Sequence, residues 1–295
     1  MNNEERAVIN QLFEAKYGDP DSPAGYGLTA TVFLRGGTAT KVYSRAIPKN
    51  EVFQEAYMLA YVESAGIRTS QVRRVNLEEG FWVVEMSRVQ GEPMLRGLFG
   101  KLFSCDFAGA AADVEHMAEV HASINRADGR AMLPYKRYAA SVISGNPALT
   151  GAQKTQLLAL LDSLPDGTAL CHGDFHPNNI LVSEGGQWTA IDWPEVTSGS
   201  PCADASRTYV NMARFLDLSG FLLRAPDASD TYRDIAVKLA AAKDKPNLME
   251  VYLNKYCQLM GVTPEEVLQW VPIQAGMLYG YKEEDLCAFL KPYLP

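Results

Sequence analysis

Between His172 and Trp193 the sequence sets out side chains at a spacing that could do chemistry. The run His172-Gly173-Asp174-Phe175-His176-Pro177-Asn178-Asn179-Ile180-Leu181-Val182 puts an asparagine five residues after an aspartate. Ala190-Ile191-Asp192-Trp193 then brings a second aspartate, eighteen residues after the first. Apolar strand-like residues bracket the polar loop. One carboxylate can orient an acceptor hydroxyl and take its proton. An amide oxygen and a second carboxylate can hold Mg²⁺ against phosphates. Phosphoryl transfer needs this set, and the metal matters because the transferring group is crowded with negative oxygens. His116 and His121 lie about 140° apart around a helix, too far to share an ion, and suit core or boundary positions. His176 is left open.

Elements must position these groups. Residues 1–16 read as a short amphipathic helix with Val8, Ile9, Leu12 and Phe13 at helical spacing. Turn residues make 18–23 a loop. Strands are expected at Thr31–Arg35 and Thr38–Tyr43, joined by a Gly36-Gly37 hairpin turn. A helix is expected over 49–65, with Phe53, Ala56, Tyr57, Ala60 and Tyr61 on one face. Two more strands, Val72–Leu77 and Phe81–Met86, flank Glu78-Glu79-Gly80. The stretch from Ser87 to Pro93 reads as a linker. Beyond it the pattern is mostly helical, except for short strands around the polar loop in Ala169–Trp193.

The loop at 172–179 resembles the protein-kinase catalytic loop H-R-D-x-x-x-x-N, with Asp192 where the D of D-F-G would stand. It is closer to H-G-D-x-H-P-x-N followed by I-D-W, the pattern of the aminoglycoside phosphotransferase and choline kinase-like family. That resemblance implies Asp174 as catalytic base and Asn179 and Asp192 as metal ligands. It implies that Asp204, in Pro201-Cys202-Ala203-Asp204, buttresses the loop. Lys41 resembles the lysine of the kinase V-A-I-K strand. Ala39 shares its strand face and would let adenine pack, Val32 across the hairpin would cover the base, and Glu55 on the next helix would hold the lysine to the phosphates. Gly25 to Val32 matches G-x-G-x-x-G-x-V with Ala30 for the third glycine, so Gly25 and Gly27 would belong to a phosphate cradle. By the same resemblance Ser87 and Val89 would offer backbone groups to a purine, with Met86 guarding the pocket behind it.

The implied fold is α+β and two-lobed, protein-kinase-like: a small antiparallel-sheet N-lobe (1–87), a hinge (88–93) and a larger, mainly helical C-lobe (94–295). The implied activity is Mg²⁺- and ATP- or GTP-dependent transfer of a γ-phosphoryl group to a hydroxyl of a small molecule, such as an aminoglycoside-like amine. Choline, ethanolamine or sugar phosphorylation remains open, as does a nucleotide-binding regulator without turnover. Gly173 replaces the kinase arginine, Trp193-Pro194 follows Asp192, and no A-P-E element is visible. Control by phosphorylation of an activation loop is therefore not expected.

Composition agrees. The chain has 295 residues, ample for a sizeable core. Residues 1–90 carry 11 acidic and 10 basic groups, a net of −1, and the remainder carries 24 and 17, a net of −7. Nucleic acid is not an expected partner. The C-terminal acid, including Glu283-Glu284-Asp285, suits a polyamine acceptor, and Trp193, Trp270, Tyr279 and Tyr281 could cage a quaternary amine. No apolar run approaches the roughly 18 residues of a membrane span, and the polar start is no secretory signal. Five scattered cysteines fit reduced thiols in the cytoplasm.

Overall fold

The computed structural model describes residues 1–19, 25–27, 29–216, 246–280 and 284–295, without the side chains of 214–216 and 284–285. The chain divides into two compact units, Met1–Gly91 with Leu181–Pro194, and Glu92–Ile180 with Glu195–Pro295.

The first unit begins with α1 (Asn3–Tyr17), capped by the Asn2 side chain, which accepts from the Glu5 N–H at 2.8 Å. Its core stripe is Ile9, Phe13 and Tyr17, a spacing of four that keeps one face inward. Val8 and Leu12 are about 40% exposed, so the expected face is rotated and only Ile9 and Phe13 of it are buried. Five strands follow: β1 (Gly25–Tyr26), β2 (Ala30–Arg35), β3 (Thr38–Tyr43), β4 (Val72–Glu78) and β5 (Phe81–Ser87). They form an antiparallel sheet in the order β1-β2-β3-β5-β4. The β4–β5 turn has positive φ at Glu79 and Gly80, the backbone a tight hairpin demands. Phe33, Val42, Phe81 and Val83 pack on α1 from one face. Ala30, Tyr43 and Val84 pack with Val52 of α2 (Lys49–Ser64) from the other.

α2 also presents a different face from the expected one. Val52, Ala56, Leu59 and Val62 are buried, with Met58, whereas Phe53 is 45% and Tyr57 55% exposed. The sheet leaves room for aliphatic side chains along this contact. Phe53 instead lies edge-on to Trp82 at the margin, at 5.6 Å.

The second unit is mainly helical. After β6 (Glu92–Pro93) come α3 (Met94–Phe103), α4 (Phe107–Asn125), α5 (Tyr135–Gly145) and α6 (Gly151–Ser163). β7 (Ala169–Cys171) leads into the polar loop, whose 177–179 stretch is a single 3₁₀ turn. β8 (Ile180–Val182) and β9 (Trp188–Ala190) follow. From Leu181 to Pro194 the chain belongs to the first unit, a departure from the expected boundaries. The physical reason is local: Thr69 Oγ1 donates to the Ala190 carbonyl (3.2 Å) and accepts from Trp193 Nε1 (2.8 Å). Back in the second unit, β10 (Thr197–Gly199) pairs antiparallel with β7 and runs into α7 (Pro201–Leu216). Then come α8 (Leu248–Met260), α9 (Pro264–Leu268), α10 (Val271–Leu278) and α11 (Glu284–Leu290). α4 packs against α8, and α7 against α8, α9 and α10. Among the described residues no helix is long and apolar enough to cross a membrane.

Candidate active site

In the first unit, strand register puts a set of side chains on one sheet face. Val32 pairs with Lys41, Lys41 with Val84, and Ala39 with Met86. Alternation along each strand turns these residues toward α2. There Lys41 Nζ meets Glu55 of α2 in an ion pair, and lies 3.6 Å from Asp192 Oδ1. Burial pulls the Lys41 ammonium down, but the charges of Glu55 and Asp192 outweigh it, so the pKa is raised and the charge is kept. Asp192 has a φ of +63°, a left-handed backbone that costs most residues energy and that Asp tolerates better than most. Its carboxylate is 47% exposed. Gly25 pairs with Val32 and Tyr26 with Thr31, and the Gly27 N–H donates to the Ala30 carbonyl at 2.9 Å. The glycine motif is therefore a tight hairpin, with Leu28 outside the described residues. The Ser87 N–H donates to the Gln71 carbonyl at 2.9 Å, so only its carbonyl could meet a purine. Met86 is half-buried against the α2-facing core. Val89 follows in irregular backbone.

In the second unit, one buried carboxylate organises the loop. Asp204 is 1% exposed. Its Oδ2 accepts from the His172 N–H, His121 Nε2 and Asn125 Nδ2, all at 2.8 Å, and its Oδ1 accepts from the Gly173 N–H at 2.9 Å. Burial pushes its pKa up, but His121 and these donors win and bring it down to about 2. The Tyr252 hydroxyl lies 2.7 Å from His121 Nδ1. Burial keeps that phenol protonated, and His121 Nε2–H donates to Asp204, because an ionised carboxylate can only accept. The ring stacks on Phe175 at 4.3 Å. Gly173 has a φ of +84°, and a Cβ there would strike the Glu195 carbonyl. An arginine at this position would meet both obstacles, which accounts for the departure from the kinase pattern.

Asp174 emerges from this base. Its Oδ1 accepts from Asn211 Nδ2 at 2.9 Å, and its Oδ2 lies 3.4 Å from His176 Nε2. Asn179 Nδ2 donates to the Asp174 carbonyl at 3.0 Å. This leaves the amide oxygen of Asn179, a hard donor suited to Mg²⁺, uncommitted to the Asp174 backbone. Burial raises the Asp174 carboxyl, but His176, Arg207 and His172 together hold it well below the usual carboxylate range. It is an ionised acceptor. The Asn178 N–H donates to His176 Nδ1 at 3.3 Å, which directs Nε2–H toward Asp174. His172 is fully buried, and its Nδ1 accepts from the Asp174 N–H at 3.3 Å.

Apart from Asp204, which the resemblance implied, sequence reading missed the face of α7 that grips the loop. Asp204, Arg207, Thr208 and Asn211 recur at three- and four-residue spacing. Thr208 Oγ1 donates to the Phe175 carbonyl at 2.9 Å, and Arg207 Nη2 donates to Glu195 Oε2 at 3.4 Å. That polar i, i+3/i+4, i+7 stripe on a helix was the available signal. His121 and Asn125 repeat it on α4. The suggested amine cage does not assemble. Trp193 and Trp270 are each 1% exposed core residues, Tyr279 packs against a core cluster, and Tyr281 lies outside the described residues. So does Glu283, with the side chains of Glu284 and Asp285. Among the described residues no three His, Cys, Asp or Glu side chains form a metal site.

The phosphotransferase enzyme family profile matches residues 22–236, and the chain belongs to that family. No protein of curated function matches it by sequence. Similar solved structures include an aminoglycoside phosphotransferase, APH(3'')-Id from Streptomyces rimosus, in complex with ADP and streptomycin. It is 14% identical, with a TM-score of 0.57, and the match covers 95% of this chain and 100% of that one. Choline kinase LicA from Streptococcus pneumoniae is 12% identical (TM-score 0.58; 98% and 97% covered). A thermostable mutant of aminoglycoside phosphotransferase APH(4)-Ia is 17% identical (TM-score 0.56; 98% and 96% covered). These likenesses show the fold. It is α+β and protein-kinase-like, with an antiparallel sheet in the N-terminal part and helices in the C-terminal part.

Proposed function

We propose that this phosphotransferase moves the γ-phosphoryl group of ATP or GTP onto a hydroxyl of a small, amine-bearing acceptor in the cytoplasm. The observation that carries the reading is the Asp174 carboxylate. It is held ionised, with Oδ1 pinned by Asn211, on a loop that Asp204 fixes through two backbone amides. Oδ2, whose neighbours stand farther off at 3.4–3.5 Å, is the oxygen left to orient the acceptor hydroxyl. As the acceptor oxygen forms its bond to phosphorus, the bond to the bridging oxygen breaks. The nucleoside diphosphate leaves with that electron pair, and the acceptor proton passes to Asp174.

Lys41, kept charged by Glu55, addresses the α/β-phosphates. Gly25 and Gly27 offer a close backbone approach. Val32, Ala39 and Met86 line the base site, and the Ser87 carbonyl and Val89 backbone meet the purine edge. Asn179 and Asp192 would hold Mg²⁺. An oxygen donor set of one amide and one carboxylate fits an ion that keeps waters and phosphate oxygens as its other ligands. When bound, Mg²⁺ supplies charge neutralisation at the phosphates. The nucleotide role falls to the first unit and the acceptor role to the second, whose acidic excess favours a cationic acceptor. A coupled assay of nucleotide turnover across amines, aminoglycosides, choline, ethanolamine and sugars tests this. Acceptor-dependent release of nucleoside diphosphate is expected with an amine. Acceptor-dependent turnover with sugars alone would overturn the amine assignment, and nucleotide binding without turnover on any member would overturn the enzyme reading.

A further inference from the structure

The helix that opens the chain touches the glycine hairpin through two side chains on one face. Arg6 and Asn10 stand four residues apart, one above the other. Arg6 Nη2 donates to the Gly27 carbonyl at 3.2 Å, and its guanidinium lies over the Tyr26 ring, 5.8 Å from the centroid. Asn10 Nδ2 donates to the Tyr26 hydroxyl at 2.9 Å. The hairpin needs support, because β1 pairs with β2 through two residues only.

α1 is itself firmly held. Ile9, Phe13 and Tyr17 lie in the core. The Glu5 carboxylate accepts from Ser44 Oγ (2.7 Å) and the Arg45 N–H (2.8 Å). Arg35 Nη1 donates to the Lys16 carbonyl at 2.7 Å. Thus α1 is fixed to the ends of β2 and β3 and reaches from there to the hairpin. The contact is not simply a stabilising bolt. Arg6 Nε and Asn10 Oδ1 are buried with no hydrogen-bond partner, an arrangement that costs stability rather than adding it.

We propose that Arg6 and Asn10 are positioning residues for phosphate binding. By fixing Tyr26 and the Gly27 carbonyl, they hold the hairpin amides where a triphosphate requires them. α1 therefore sets the affinity for the phosphates and leaves that for the base alone. The inference rests on the reading of this hairpin as the phosphate cradle.

The test is calorimetric titration of the full chain with Mg·ATP or Mg·GTP, whichever the parent binds, beside the matching nucleoside. Arg6→Ala and Asn10→Ala are each expected to weaken triphosphate binding about 3–10-fold, the scale of one exposed hydrogen bond or cation–π contact. Nucleoside affinity should not change. Tyr26→Phe removes one hydroxyl from an exposed residue and leaves the fold intact. It should reproduce Asn10→Ala, and the Asn10→Ala/Tyr26→Phe pair should be no worse than either alone. Unchanged triphosphate affinity in all variants would overturn the proposal. So would equal losses for triphosphate and nucleoside, which a merely structural role would give. A parent that binds neither ligand would instead overturn the proposed function.

Discussion

Asp174 has two oxygens with different surroundings, and that difference sets what its replacement should do. Asp174→Asn keeps the shape and an oxygen to accept from Asn211, but it cannot take a proton. A loss in kcat of about 10²–10⁴-fold is expected, with nucleotide affinity and melting temperature nearly unchanged. Single-turnover transfer to the identified acceptor checks it, and parental rates would remove Asp174 from the mechanism. Lys41 and Glu55 form a second pair whose members should not act independently. Lys41→Ala should slow turnover about 10²–10³-fold, the scale of one positioned electrostatic group. Glu55→Ala should do less, and the double variant should be little worse than Lys41→Ala. A double-mutant cycle with fully additive losses would dissolve the pairing. Asp204 belongs here too. Its carboxyl has a pKa of about 2 in the folded chain against 3.8 ordinarily. The folded value is depressed, so its stabilising contribution is complete above about pH 4. It is lost as the pH falls toward 2, where the folded carboxyl takes up its proton. Denaturant melts from pH 5 to 2 should show a fall in stability that is absent from Asp204→Asn, which should already be weaker at pH 7 by about 3–5 kcal/mol.

At the scale of elements, strands were more legible than helix faces. β3 runs from Thr38 to Tyr43 as its pattern implies, and the Gly36-Gly37 turn gives the expected Val32–Lys41 register. A period of two leaves little freedom once a turn is fixed. A helix can rotate, and in α2 the aromatics Phe53 and Tyr57 drew the reading toward a face that lies at the margin of the sheet contact. Aliphatic Val52, Leu59 and Val62 fill that interface. The loop at 172–179 was legible because its parts are contiguous. Its supports other than Asp204 were not, because His121 and Asn125 lie about fifty residues upstream and Asn211 more than thirty downstream. Only the pairing of β7 with β10 delivers α7 to the loop.

For the molecule as a whole, ligand binding should appear as stability. A nucleotide that binds only the folded chain raises its stability by about 2.7 kcal/mol at a hundredfold excess over Kd. Mg·ATP or Mg·GTP should therefore raise the melting temperature, and removal of Mg²⁺ with a chelator should abolish most of the gain. Asp192→Ala should melt like the ligand-free parent and respond little to either nucleotide. A shift as large as the parent's would show that Asp192 holds no metal.

The first unit is written in two instalments, residues 1–91 and 181–194, with the first part of the helical unit's sequence between them. On the ribosome the early instalment emerges first. It must wait for about a hundred further residues before Thr69 can meet Ala190 and Trp193, or Lys41 can meet Asp192. Translation proceeds at about 5–20 residues per second, so the interval is several seconds. During it Lys41 has Glu55 available as a partner but not yet Asp192. On the proposed function, nucleotide competence would be a late event in the life of the chain, because the Lys41–Asp192 pair cannot precede the emergence of Asp192.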